Sequence, residues 1–134
     1  MSRTSKDQWM LELADATAKR GSCLRAKVGC VLFDERGRVL ATGYNGAPSG
    51  FKECSPACPG QQHPDHCLAV HAEINALMQC SKVDAIHTVA TTLAPCFRCY
   101  KALANTGMKR LLYRAAKPEF YAYCDVFPME LLKI

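Results

Sequence analysis

The segment Ile86–Tyr113, IHTVATTLAPCFRCYKALANTGMKRLLY, carries the pattern that decides the fold. Its first part, Ile86–Thr91, is a short apolar and β-branched run and reads as a strand. Pro95 opens a helix that runs through Ala104, because proline is tolerated in a helix's first turn, and Gly107 terminates it. Lys109–Tyr113 reads as the next strand. Working outward, Val70–Ser81 (VHAEINALMQCS) is helical and is expected to direct Val70, Ile74, Leu77 and Met78 toward a core. Lys27–Asp34 (KVGCVLFD) reads as a buried strand and Arg38–Thr42 as its hairpin partner, with Asp34–Gly37 as the turn and glycine supplying a positive backbone angle. Asp7–Arg20 reads as a helix in which Trp9, Met10, Leu13, Ala14 and Thr17 share a face, capped by Ser5 and ended by Gly21. Beyond Tyr113, Pro118–Cys124 suits a short helix, and Met129–Ile134 suits either a strand or a helix. The sum is one α/β layered domain over 1–134 with at least four strands, without internal repeat or linker.

Composition narrows the class. The chain has 134 residues, 49% of them hydrophobic and 22% charged, as expected of one globular core rather than a disordered chain. No apolar run approaches the ~20 residues that span a bilayer. The N-terminal residues lack a signal-peptide apolar core, so the expectation is a cytoplasmic protein. Nine cysteines then point to metal or redox chemistry rather than disulfides. Cys30 and Cys80 fall in apolar runs and read as buried structural residues. The net charge of +5 suits phosphate-bearing ligands as well as a solvated basic surface. Its basic residues are dispersed, which argues against a nucleic-acid arm.

Chemistry concentrates at two helix starts. Cys96 and Cys99 are three apart, so on a helix they share a face, and the helix's positive end favours their thiolates. With the imidazole of His71 they give Zn²⁺ three protein ligands and one open position, the catalytic rather than the structural arrangement. Zinc there lowers the pKa of water to roughly 7. Glu73 is two residues from His71, at a different azimuth, and is the candidate proton carrier. The order H-x-E followed by P-C-x-x-C, with a glutamate that is not a ligand, is the signature of zinc-dependent base deaminases.

The pattern Cys67-x-x-x-His71-Ala-Glu73-x-Asn75-Ala76, then Pro95-Cys96-x-x-Cys99, resembles the cytidine deaminase superfamily. Arg25-x-Lys27-Val28-Gly29-Cys-Val31 and Gly43-Tyr44-Asn45-Gly46-Ala47-Pro48-Ser49-Gly50 resemble its deoxycytidylate (dCMP) deaminase branch, of the compact bacterial and phage type. The likeness runs from about Cys23 to Tyr113. Free cytidine deaminases and tRNA adenosine deaminases share the metal motif but are not expected to carry Gly-Tyr-Asn-Gly-x-Pro. The resemblance implies a central mixed sheet flanked by helices on both faces. It also implies conversion of dCMP to dUMP for the thymidylate pathway, by a homo-hexamer activated by dCTP and inhibited by dTTP with Mg²⁺. Larger relatives have longer insertions and a longer C-terminus, which bears on any regulatory contacts from those regions.

Site roles follow by position. Asn45 is the expected partner of the deoxyribose and base, and backbone amides around Ala72 and Ala94 are expected to face the pyrimidine. Arg25, Lys27 and the Gly46–Gly50 turn are phosphate candidates, glycine admitting close approach of amides to an anion. Tyr121 or Tyr123 suits stacking, and Arg98 either a phosphate or solvent. Tyr44, Asn45, Gly46 and Gly50 are the candidates for the regulatory nucleotide. Gly43–Cys67 is a long loop with almost no periodicity, of the kind held by something other than a core. Cys54, Cys58, His63, His66 and Cys67 cluster there, and relatives often carry a second, structural zinc in this insertion. Four ligands from Cys23, Cys54, Cys58, His66 and Cys67 would close such a site. Two other functions use the same residues: deamination of a free nucleoside or other amino-heterocycle, and a non-catalytic zinc-stabilised nucleotide- or RNA-binding module.

Overall fold

Five strands form one mixed sheet in the order β2-β1-β3-β4-β5. They are β1 (Gly29–Phe33), β2 (Val39–Tyr44), β3 (Thr88–Leu93), β4 (Arg110–Ala115) and β5 (Glu130–Lys133). β1 runs antiparallel to both β2 and β3, whereas β3, β4 and β5 are mutually parallel neighbours. The computed structural model describes residues 2–23, 25–51, 55 and 67–134. Five strands exceed the minimum of four, and the tail 130–133 resolves to a strand because it pairs with β4.

Every residue of β1 is buried, as befits a strand covered on both faces. Side chains alternate between two cores with the strand period of two. Cys30 and Leu32, with Val89 and Leu111, face one core; Val31 and Phe33, with Ala90 and Leu112, face the other. The second core is closed by α1 (Lys6–Ala18). The first is closed by α2 (Ala72–Gln79), α3 (Phe97–Ala104) and α4 (Phe120–Tyr123). Helices therefore cover both faces of the sheet.

Ser5 caps α1 by accepting the Gln8 amide at 3.1 Å. The helix buries Met10, Leu11, Ala14 and Ala18, so the expected stripe is rotated: Trp9 is 40% exposed, its ring flanking that of Phe33. The cause is Gly29, where a Cβ would lie 2.2 Å from the Ala14 carbonyl oxygen. α1 is seated backbone against backbone on β1, and small residues must occupy the contact. The same rule corrects α2. A Cβ on Gly43 would lie 2.3 Å from both the Ala72 oxygen and the Ala76 nitrogen. α2 thus turns Ala72 and Ala76 to the sheet, and Met78, expected in the core, is 77% exposed. In the hairpin turn, Gly37 has φ +82°, and the Asp34 carboxylate accepts the amides of Arg36 and Arg38. Arg110 ties three elements together, reaching Asp7 of α1 at 2.8 Å and Glu130 of β5 at 2.9 Å.

Candidate active site

The two helices on the first core begin side by side, and each begins with a ligand. His71 is the N-cap of α2 and Cys96 the N-cap of α3, and neither side chain makes the usual capping hydrogen bond. Both are therefore free to face one another. Cys99 lies one turn into α3 and is buried. His71 Nδ1 stands 3.3 Å from Cys99 Sγ and 3.6 Å from Cys96 Sγ. Ideal tetrahedral zinc bonds of these types put N and S about 3.6 Å apart and two S about 3.8 Å apart. All three donor atoms lie within 4.8 Å of one another, so one nitrogen and two sulfurs fit that ion. The Cys96 thiol is pushed down to about 3 by hydrogen bonds with Cys99 and His71. The same contact with Cys96, together with burial, pushes the Cys99 thiol up. His71 is raised by its bond to Cys96.

Glu73 sits in the first turn of α2 and is only 4% exposed. Burial lifts its carboxyl to about 7, against an ordinary 4.5. It is not one of the three clustered donors. His71, Glu73 and Cys96 open onto a cleft of about 470 Å³, within the range of small-molecule sites.

Residues 4–115 match the family model described as the cytidine and deoxycytidylate deaminase zinc-binding region. The chain belongs to this deaminase family. It is 42% identical over 125 residues to the deoxycytidylate deaminase of Mycobacterium phage D29, covering 84% of this chain and 97% of that one. It is 36% identical to the deoxycytidylate deaminase of Schizosaccharomyces pombe over 85% of its own length, but spans only 38% of that protein. The crystal structure of the dCMP deaminase of cyanophage S-TIM5 in complex with dCMP and dUMP superposes with a TM-score of 0.79 at 26% identity, covering both chains fully.

As a member of the deaminase family, the chain brings most of its sequence-predicted site residues to this cleft. Asn45, Ala72, Ala94, Arg25 and Tyr123 line it, as do Cys23 and Cys67. Asn45 is heavily engaged: its Oδ1 accepts the Val28 amide at 2.8 Å and its Nδ2 donates to the Ala26 carbonyl at 2.7 Å. That clamp holds the segment before β1 as one wall. The Ala94 amide, expected to face the pyrimidine, instead donates to the Ala115 carbonyl at 2.8 Å. Tyr123 is fixed by its hydroxyl donating to the Pro95 carbonyl at 2.7 Å. The Arg25 guanidinium is raised above its ordinary value by the thiols of Cys67 and Cys23 beside it.

Other expected residues stand elsewhere. Lys27, Arg98, Tyr121, Tyr44, Gly46 and Gly50 are not among the residues that line the cleft. Gly46 pairs with Val70 in an isolated bridge. Cys54, Cys58, His63 and His66 lie outside the described residues, and of the ligands expected for a second metal only Cys23 and Cys67 are described. Sequence reasoning missed Lys117 and Glu119, which line the cleft from the β4–α4 connection. Their signal was the Lys117-Pro118-Glu119 run shortly beyond the strand Lys109–Tyr113.

Proposed function

We propose that this chain hydrolyses dCMP to dUMP and ammonia, a reaction that feeds thymidylate synthesis. The observation that carries the reading is the buried Glu73 carboxylate beside the His71, Cys96 and Cys99 donors at the floor of a nucleotide-sized cleft. Relatives named deoxycytidylate deaminase supply the substrate. Zinc held by those three residues would supply Lewis-acid activation of the attacking water. Glu73 does the proton work. Its carboxylate accepts one proton from water and places it on the pyrimidine ring nitrogen beside the reacting carbon. It carries the second to the departing amine, which leaves as ammonia. A pKa near neutrality lets one group accept and donate in turn. The Ala72 amide, at the first position of α2, suits the pyrimidine carbonyl; Ala94, its amide already taken, offers its carbonyl to the exocyclic amine. Asn45 and Tyr123 wall the sugar and base, and Arg25 meets the phosphate.

Ammonia release from dCMP, deoxycytidine, CMP and dCTP, measured side by side, tests the reading. dCMP turns over fastest; faster turnover of deoxycytidine or another amino-heterocycle overturns it. Glu73→Ala abolishes turnover while zinc stays bound, whereas retained turnover removes Glu73 from the chemistry.

The reading extends to regulation by dCTP and dTTP with Mg²⁺, at a surface around Tyr44, Asn45, Gly46 and Gly50. Tyr44 is exposed at the end of β2 with the Arg20 guanidinium 5.8 Å from its ring centre, and Asn45 next to it reaches the cleft wall. Flat activity curves with either triphosphate overturn this part. A homo-hexamer is the assembly the resemblance implies, and apolar side chains left exposed on β2 and α2, Val39 and Met78 among them, fit association between copies. Sedimentation of the purified protein reads it, a monomer being the contrary result. A second zinc on Cys23, Cys67 and the Gly43–Cys67 loop predicts two zinc ions per chain by metal analysis. The cytoplasm is the proposed location.

A further inference from the structure

α4 is four residues long, and a helix needs about 12–15 residues before it holds together by itself. Yet Phe120 and Tyr123 of α4, with Lys117 and Glu119 just before it, line the cleft. The place of that wall must be set by contacts with other elements. Tyr100 follows Cys99 in α3 and is fully buried. Its amide donates to the Cys96 carbonyl at 2.9 Å, which fixes it to the start of its own helix. Its hydroxyl leaves the helix and donates to the carbonyl of Cys124, the C-cap of α4, at 2.5 Å. Burial pushes this phenol up to about 12, so it stays a donor at any working pH. A second phenol runs the opposite way, Tyr123 of α4 donating to the carbonyl of Pro95, the residue before Cys96, at 2.7 Å. Between the two hydroxyls the Tyr100 ring meets those of Phe120, Tyr123 and Phe127, with centres 5.7, 6.0 and 5.3 Å away. The rings hold α4 against α3. A hydroxyl bond is directional, so it also sets where along α3 the short helix stands.

We infer that Tyr100 is a positioning residue for substrate binding, its hydroxyl holding Cys124 and so setting the distance between the Cys96 and Cys99 donors and the cleft wall that α4 supplies. Tyr100 is not among the residues that line the cleft, so it acts through Tyr123 and Phe120, which are. The inference rests on the deaminase reading of this cleft and adds to it a residue behind the wall that sets the fit of the base.

The test is Y100F in the zinc enzyme, which deletes one hydroxyl and keeps the ring that fills the core. S5A is the control, since it loosens α1 on the other face of the sheet. Kinetics use whichever substrate turns over fastest in the ammonia-release comparison, so the dCMP reading and this one fail separately. A neutral hydrogen bond is worth roughly threefold to tenfold. Y100F raises KM by that factor with little change in kcat per zinc, and S5A moves neither. Hydrogen exchange reads the same contact without turnover. The amides of Phe120, Tyr121 and Ala122, which donate back to Lys117, Pro118 and Glu119, exchange faster in Y100F and not in S5A. An unchanged KM in Y100F overturns the inference, and so does unchanged exchange at those three amides. A rise in KM of equal size in S5A overturns it too, because that is general loosening of the fold. A wild type that turns over none of the compounds overturns the deaminase reading, and exchange then decides alone whether Tyr100 holds the wall.

Discussion

Glu73 is a carboxyl placed where water is scarce, and this has a thermodynamic cost that can be measured. Below about pH 4.5 it is protonated in both folded and unfolded chains. Between there and its folded value of about 7 the unfolded chain releases its proton first, so stability falls as pH rises, and above that range the loss is complete. At ~1.4 kcal/mol per pH unit the total is about 3 kcal/mol. Glu73→Gln, in chelator-treated protein, escapes this loss. Its stability advantage in denaturant melts grows from near zero at pH 4 to about 3 kcal/mol at pH 8, and a difference flat with pH contradicts the burial argument. His71→Ala removes one of three metal donors, and zinc per chain falls at that site while Glu73→Ala keeps it. The identities of these residues were legible in the sequence because ligand chemistry dictates residue type and spacing. Lys117 and Glu119 were not legible, because their place in the cleft wall comes from where the β4–α4 connection lies in three dimensions and not from any local pattern.

Between elements, the decisive contacts are those where glycine and alanine let backbones touch. Gly43→Ala places a methyl group against the Ala72 carbonyl and the Ala76 amide, and α2 must lift. The expected cost is about 1–3 kcal/mol, typical of overpacking. Because α2 begins at His71 and carries Glu73, turnover falls further than stability alone accounts for, which kinetics at a temperature well below the melt reads directly. Ser5→Ala, losing only the cap of α1, costs about 1 kcal/mol in a thermal melt and leaves kcat unchanged. Element types followed from periodicity, whereas facing did not. Apolar Ile74 and Met78 recommended one face of α2 as the core side, but Gly43 admits only the face bearing Ala72 and Ala76. Similarly, the strand at 130–133 has few residues of its own to announce it and is decided by the open edge of β4.

For the molecule as a whole, metal and fold are linked, since the three donors come from two helices that meet only in the folded chain. Chelation is therefore expected to lower the melting temperature, and zinc restored in excess to raise it. An unmoved melt places the metal outside the cleft floor. β2 is an outer strand that pairs, among the described residues, only with β1, and α2, which carries the proposed proton carrier Glu73, packs against it at Gly43. At Gly43 no side chain lies between that strand and α2. In mechanical terms the contact is a rigid coupling with no cushion. On the proposed reading, a load on this strand, from another subunit or from a nucleotide beside Tyr44, would be passed to the helix that carries Glu73.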